Sequence, residues 1–247
     1  MMDIKDLNEI VIAGKYDLDQ KDDYLRSIML PAIRIEQATV FDEKGLSKYG
    51  GNPLVPGNFE WPKHKFGDYR FIVQFNLSEL PPGENQLPKI GLLSIFVAYN
   101  EENTMAWTDD NYAKVFYFEN IDDLKPYDNP NFPDKYSLDV IFKQEVDIPF
   151  KPELYKTKGL NKRQVNYVCT KVLEKSDKKY DSYLLGYPYY NSLNADPREN
   201  ENWTSLLTLR YQPGFGLYWN GRGYLMLFIE KEKLAKGDFS NVKSNAG

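Results

Sequence analysis

Two copies of one strand pattern constrain the fold of this chain more than any other feature of its sequence. Gly91 opens the stretch GLLSIFV and Gly223 opens the stretch GYLMLFI, and both fit the pattern G-x-L-x-[IL]-F-[VI]. A short run of large apolar residues with an aromatic residue before a final β-branched residue is typical of a buried strand. The chain therefore contains at least two strands that need apolar cover.

The segments before these two strands also correspond to each other. Gly51-Asn52-Pro53 matches Gly186-Tyr187-Pro188, a tryptophan follows in both cases, and residues 71–75 can be aligned with residues 206–210. A strand pair is unstable alone, so each half needs the other to bury its apolar surface. We predict two tandem, pseudo-symmetric repeats in one domain. The alternative is that glycine-led strands resemble one another by chance.

Other periodicities add strands and helices. Apolar residues at helical spacing predict two short N-terminal helices, at 3–13 and 20–30. Asn161, with Gln164 three residues later, predicts the start of a further helix. Alternating or β-rich runs predict strands at 32–40, 69–77, 90–98, 112–119 and 137–148.

The predicted class is α+β: a β-rich single domain with two tandem, pseudo-symmetric structural repeats plus N-terminal helices. At 247 residues the chain fits one large domain. Residues 1–45 are assigned to the N-terminal helices and a strand, 46–150 to the first repeat unit, 151–240 to a helix and the second repeat unit, and 241–247 to a tail. We expect Leu234 and Phe239 to dock before the last residues fray.

An ordered series of short motifs runs through both halves of the chain. It comprises Gly50-Gly51-Asn52-Pro53, Trp61-Pro62, Phe71 to Leu77, Leu80-Pro81, Leu87-Pro88, Leu185 to Pro188 and Gly223 to Ile229. Together these motifs resemble the YwqG-like family of bacterial domains of unknown function. The resemblance implies a single α+β domain with a tandem repeat, found mostly in bacterial cytoplasm, and it implies no established activity. No catalytic residue is therefore carried over.

The resemblance also singles out one buried-looking polar position. Members of the YwqG-like family often have a glutamine in the strand of the second half, as Gln74 stands in the first half here, whereas Thr208 occupies the aligned place. A polar site shared by the family at these positions would include Gln74 as a candidate ligand-binding residue.

Several chemistries are excluded by composition. His64 is the only histidine and Cys169 the only cysteine, so no Cys/His zinc site can be assembled within one chain. A nucleophilic dyad or triad would need His64, and a lone histidine between lysines is typical of a solvated loop. No phosphate-cradling motif is present, and we predict no metal and no cofactor.

Charge and hydropathy exclude two classes of partner. The net charge is −5 and the basic residues are scattered, so the sequence predicts no nucleic-acid binding. There is no apolar run of about 18 residues, which argues against a membrane span. The single cysteine and the absence of a secretory signal in residues 1–8 predict a cytoplasmic location.

The most site-like polar group follows Pro188. Tyr189, Asn191, Asp196 and Arg198 place an aromatic ring, an amide, a carboxylate and a guanidinium on one loop, a mixture from which ligand clefts are built. The structural alternative is that Asp196 accepts a backbone N–H and only fixes a turn.

Two functional hypotheses remain open at this level. The first is a non-enzymatic binding or protein-interaction module with an unknown protein or small-molecule partner, motivated by the missing catalytic constellation and the aromatic content of 15%. The alternative is a metal-independent or cation-assisted hydrolase with Asp196 and Glu199 in a cleft between the repeats. That alternative requires at least two acidic groups to converge on one concave site.

Overall fold

One antiparallel sheet contains eleven of the thirteen strands of this protein. The computed structural model describes residues 27–40, 42, 45–65, 67–83, 85–98, 106–128, 136–147, 161–166, 182–189, 193, 195–212, 219 and 223–247. The strands are β1 (Leu30–Gln37), β2 (Lys48–Gly50), β3 (Leu54–Val55), β4 (Lys63–His64), β5 (Gly67–Asn76), β6 (Leu92–Ala98), β7 (Ala113–Phe118), β8 (Lys125–Pro126), β9 (Ser137–Asp147), β10 (Ser182–Leu185), β11 (Trp203–Arg210), β12 (Tyr224–Glu230) and β13 (Val242–Ala246).

The strand order is symmetric about its middle. The order is β13-β12-β11-β10-β1-β9-β2-β5-β6-β7, with β4 paired to β5, while β3 and β8 form a separate pair. Outward from the central pair β1–β9, β10 to β13 lie on one side, and β2, β5, β6 and β7 lie on the other. The central strands β1 and β9 are antiparallel, so this order is compatible with the predicted pair of repeats. β1, which precedes the first predicted repeat in the chain, thus belongs spatially to the second half.

Backbone conformation repeats at the end of β2 and of β10. Gly50 and Gly51 have φ of 59° and 68°, and Leu185 and Gly186 have φ of 61° and 67°. This is the left-handed region, which is rarely adopted by leucine. Asn52-Pro53 and Tyr187-Pro188 follow, so the motif match predicted from sequence coincides with a shared turn. The duplication itself remains a prediction.

The paired hairpins share an irregularity as well. The register of β5 on β6 shifts between Phe71 and Val73, and the register of β11 on β12 shifts between Ser205 and Leu207. One extra residue, Ile72 or Leu206, is accommodated as a bulge in each. Since Phe71 pairs with Phe96 and Ser205 with Phe228, residues 71–75 are equivalent to 205–209, one residue earlier than the sequence alignment proposed.

The predicted α+β class is wrong. Within the described residues, helix is confined to short pieces: a helical turn at 162–166, a 3-10 turn at Leu77–Glu79, a helical residue at Ser27 and α1 (Lys231–Ala235). The predicted helix 3–13 lies outside the described residues, as does most of 20–30, and Leu30 already belongs to β1. The helical periodicity of these short N-terminal stretches does not determine the class, because the described body of the protein is mainly a single sheet.

The strand predictions are confirmed to within about three residues, the usual uncertainty of element ends. The predicted cap at Asn161 is also confirmed, since its side-chain oxygen accepts the Gln164 N–H at 3.0 Å and Gln164 Oε1 accepts the Asn161 N–H at 2.9 Å. The end of the chain, expected to fray, instead forms β13 against β12. Leu234 and Phe239 are buried as predicted.

The curved sheet is nearly closed into a barrel and its inner face forms the main core. Every strand from β5 to β7 and from β10 to β13 contributes to one apolar cluster, which includes Phe75, Ile95, Leu184, Leu207 and Leu227. The two ends of the sheet approach each other where β13 meets the turn before β7. There the Ser244 hydroxyl donates to the Trp107 carbonyl at 2.6 Å.

Candidate functional site

Tyr189, the first residue of the loop predicted as the site, is used for packing. Tyr189 is buried and its ring lies 4.4 Å from that of Tyr224, centroid to centroid, in a small cluster with Tyr183. The Tyr183 hydroxyl donates to the Tyr187 carbonyl at 2.7 Å, and burial raises the pKa of Tyr183 well above its usual value. Tyr189 therefore presents no free aromatic face. Asn191 lies outside the described residues.

Asp196 and Arg198 fold onto each other. The Asp196 carboxylate accepts the backbone N–H of Arg198 at 3.0 Å and is paired with its guanidinium at 2.6 Å. This is the turn that the structural alternative predicted. Neither residue lines the cleft described below.

Gln74 is a brace between two backbone segments. Its side chain is fully buried; Oε1 accepts the Leu54 N–H at 3.0 Å and Nε2 donates to the Leu46 carbonyl at 2.7 Å. Both ends of the amide are thus used by the main chain that crosses β5. A ligand would have to displace one of these bonds to reach Gln74.

A cleft lies where the sheet fails to close. Its volume is about 670 Å³, within the size range of ligand pockets. One wall is the edge strand β7 with the turn that precedes it, and the other is the segment 237–243, which leads from α1 into the start of β13. The lining residues are Asp110, Asn111, Ala113 to Tyr117, and Gly237 to Lys243.

The 237–243 wall is held in place by its own apolar anchor. Phe239 is buried, with its ring 5.6 Å from the Tyr117 ring. Asp238 accepts the Ser240 N–H at 2.9 Å and lies 3.7 Å from the Lys233 ammonium, an arrangement that lowers the Asp238 pKa, chiefly through the Ser240 hydrogen bonds. The wall is therefore ordered while its outer surface stays polar.

Lys243 joins the two walls at one end of the cleft. Its ammonium lies 3.2 Å from Asp110 and 3.4 Å from Glu199. The hydrogen bond and charge of Asp110 are the main cause of a raised pKa of Lys243, with Glu199 contributing less. Lys243 therefore stays protonated and acts as a donor and counter-ion, since a lysine that serves as nucleophile or base needs a lowered pKa.

Lys114 is the other cation of the cleft. Its ammonium lies 5.1 Å from the centre of the Tyr69 ring, which fits a cation–π contact. The Tyr69 hydroxyl donates to the Asn111 carbonyl, and burial raises the Tyr69 pKa to about 12, so the ring stays neutral. In the described ranges no carboxylate lies within ion-pairing distance of Lys114.

The acidic residues considered from sequence do not assemble a catalytic group. Asp196 is paired with Arg198 and Glu199 with Lys243, and Asp109 accepts the Ala106 N–H at 3.0 Å in a turn. Across the part of the chain that the structure describes, no three His, Cys, Asp or Glu residues are grouped so that they could hold a metal ion. The geometry thus gives no support to the hydrolase hypothesis.

Sequence reasoning missed the cleft because its walls are far apart in the chain. β7 was predicted as a strand, but nothing in its sequence shows that it is the last strand of the sheet. The one available signal was the pair of apolar residues, Leu234 and Phe239, in the otherwise polar end of the chain. Two anchored residues imply that the segment between α1 and β13 lies against the body.

Comparisons with known proteins place the chain in a family without assigning it an activity. No helix within the described residues is both long enough and apolar enough to cross a membrane. No curated protein matches the chain. A family model described as a domain of unknown function, DUF1963, matches residues 47–246, and the YwqG-like family indicated by the motifs is the same family. The chain therefore belongs to the DUF1963 family.

Proposed function

We propose that this protein is a non-enzymatic binding or protein-interaction module and that its ligand lies in the cleft between β7 and residues 237–243. The observation that carries the proposal is the cleft itself, about 670 Å³ and lined by both apolar and charged groups. We place the module in the cytoplasm, which suits a chain whose single cysteine, Cys169, cannot form an intramolecular disulfide.

The charges at the cleft favour binding over catalysis. Lys243 is held protonated between two carboxylates. Asp110 and Glu199, which share this lysine, are exposed. All three groups can therefore pair with polar groups of a ligand.

The proposal is tested by occupancy of the cleft. A library of small fragments would be screened by amide chemical shifts of the 15N-labelled protein, with Ser240→Trp as a variant that fills the cleft from its exposed wall. Val40→Trp is the matched control, because Val40 is 89% exposed and does not line the cleft. We expect fragments that shift the amides of Gly237 and Asn241 in the wild type and in Val40→Trp but not in Ser240→Trp.

If fragment shifts cluster elsewhere, or persist unchanged in Ser240→Trp, the cleft is not the site and the proposal fails.

A further inference from the structure

The edge of β7 presents unpaired backbone groups to the cleft. The Ala98 N–H donates to the Tyr112 carbonyl at 2.7 Å, which fixes the phase of the antiparallel ladder between β6 and β7. Alternate residues therefore bond to β6, and the peptide groups of Ala113, Val115 and Tyr117 point the other way. β7 is the terminal strand of the sheet, and within the described ranges no hydrogen bond reaches these three backbone groups.

The sequence of β7 does little to protect this edge. Exposed edges are commonly blunted by proline, several charges or a bulge, because free N–H and C=O groups attract another strand. The strand reads AKVFYF, with one charge and no proline, and its pairing with β6 is regular. An apolar strand edge of this kind is suited to pairing with another strand.

The lining of the cleft places an added strand beside β7. A peptide lying along the six residues of β7 would be about 20 Å long, at roughly 3.4 Å per residue. Residues 237–243 form the opposite wall, so the peptide would lie between that wall and the strand edge. The three residues whose backbone groups are unpaired all line this cleft.

The side chains around the edge indicate which peptide would fit. Val115 and Tyr117 lie on the inner face of the sheet, because they pair with the core residues Ile95 and Leu93. Lys114 lies on the opposite face, where it lacks a carboxylate partner among the described residues. Side chains alternate along a strand, so apolar residues would face inward and an acidic residue would lie opposite Lys114.

From this geometry we propose that the cleft takes up an extended segment of a partner protein as an additional strand on β7. The segment alternates apolar with polar residues and carries a carboxylate opposite Lys114. Recognition is by main-chain hydrogen bonds to Ala113, Val115 and Tyr117, with side-chain specificity added by the alternation. The inference rests on the proposed function, since it names the ligand class of the same cleft.

The test begins with a selection. A displayed library of random heptapeptides is panned on the wild-type protein after depletion on Ser240→Trp, and enriched peptides are synthesised. We expect enriched sequences with apolar residues at alternate positions and at least one Asp or Glu. On binding, hydrogen exchange of the Val115 and Tyr117 amides should slow, while the amides of Lys114 and Phe116, already bonded to β6, should change little.

N-methylated peptides test the main-chain contacts without altering the protein. Methyl groups on alternate amides block one edge of the peptide or the other. One pattern should weaken binding by about 100-fold, as expected for the loss of two or three hydrogen bonds, and the other by much less. Lys114→Glu should weaken binding of an acidic peptide by about 3- to 10-fold, and a peptide with Lys for Glu should restore it.

Two results would overturn the strand-addition proposal: no enrichment of any peptide, or enriched peptides that both methylation patterns leave equally tight. Fragment binding in the cleft would still support the proposed function in either case. Loss of both fragment and peptide binding would overturn both.

Discussion

Replacement of Gln74 distinguishes a structural brace from a ligand-binding residue. Gln74→Leu removes the hydrogen bonds to the Leu54 N–H at 3.0 Å and the Leu46 carbonyl at 2.7 Å. Each contributes about 1 kcal/mol net. Leu46 is 39% exposed, so water can replace its bond, whereas the Leu54 amide is half-buried and its unmet hydrogen bond adds about 1 kcal/mol. The expected loss in free energy of unfolding is about 2–3 kcal/mol.

The loss is measured by urea denaturation and by thermal unfolding, where it corresponds to a fall in Tm of about 5–10 °C for a domain of this size. Ser94→Ala is the matched control. Ser94 is the direct partner of Gln74 on β6 and is equally buried, but its hydroxyl has no hydrogen-bond partner among the described residues. Its removal should change stability by less than about 0.5 kcal/mol.

The reasoning is refuted if Gln74→Leu unfolds at the wild-type urea concentration while it abolishes fragment binding. Gln74 would then be a site residue and not a brace. Gln74→Glu gives a second check, because a carboxylate can accept from Leu54 but cannot donate to Leu46. We expect it to be at least as destabilising as Gln74→Leu, since it also buries a charge.

Three further predictions follow from the fold and from the loop that carries Asp196. In chemical denaturation, Gly186→Ala should lower the free energy of unfolding by more than Gly51→Ala. Both glycines have φ near +67°, but a Cβ at Gly186 would lie 2.7 Å from Asp147 Oδ2, whereas a Cβ at Gly51 would lie 3.1 Å from Ser137. Equal losses for the two variants would contradict this packing argument. Asp196→Ala should lower the free energy of unfolding by less than about 1 kcal/mol, because the pair of Asp196 with Arg198 is a partly exposed surface ion pair. The same variant should leave fragment binding in the cleft unchanged. A loss of fragment binding would show that the loop takes part in a site. Burial raises the pKa of Tyr112 to about 12 from 10.0, so the unfolded chain loses this proton first and stability should fall as pH rises through that interval. Tyr112→Phe should flatten the decline in the unfolding free energy, and an unchanged slope would exclude Tyr112 as its source.

The fold was predictable wherever residues next to each other in sequence determine local structure. The strands around Val73, Ile95 and Leu227 carry the β-rich apolar pattern, and the shared turn at Gly51 and Gly186 reflects a backbone conformation that favours glycine. These sequence patterns are local, so they can be recognised without knowledge of the tertiary structure. The helical spacing near the N-terminus was a weaker signal, and the α+β class built partly on it was wrong.

The position of the cleft was not predictable because it depends on strand order. Lys114 and Lys243 lie 129 residues apart in sequence (243 − 114) and face one cleft only because β7 and β13 are the two ends of the sheet. Conversely, the polar loop ending in Asp196 and Arg198 suggested a site from composition alone, yet the two side chains satisfy each other. Composition shows which groups are available, but the topology decides which of them a ligand can reach.

Amide hydrogen exchange of the free protein tests the central claim, an open strand edge at the cleft, most directly. The N–H groups of Val115 and Tyr117 point into the cleft, whereas those of Lys114 and Phe116 bond to β6. The account predicts that the first pair exchanges at least about 100-fold faster than the second, in strict alternation along β7. Equal, strong protection of all four amides would show that the edge is already covered and would contradict the account.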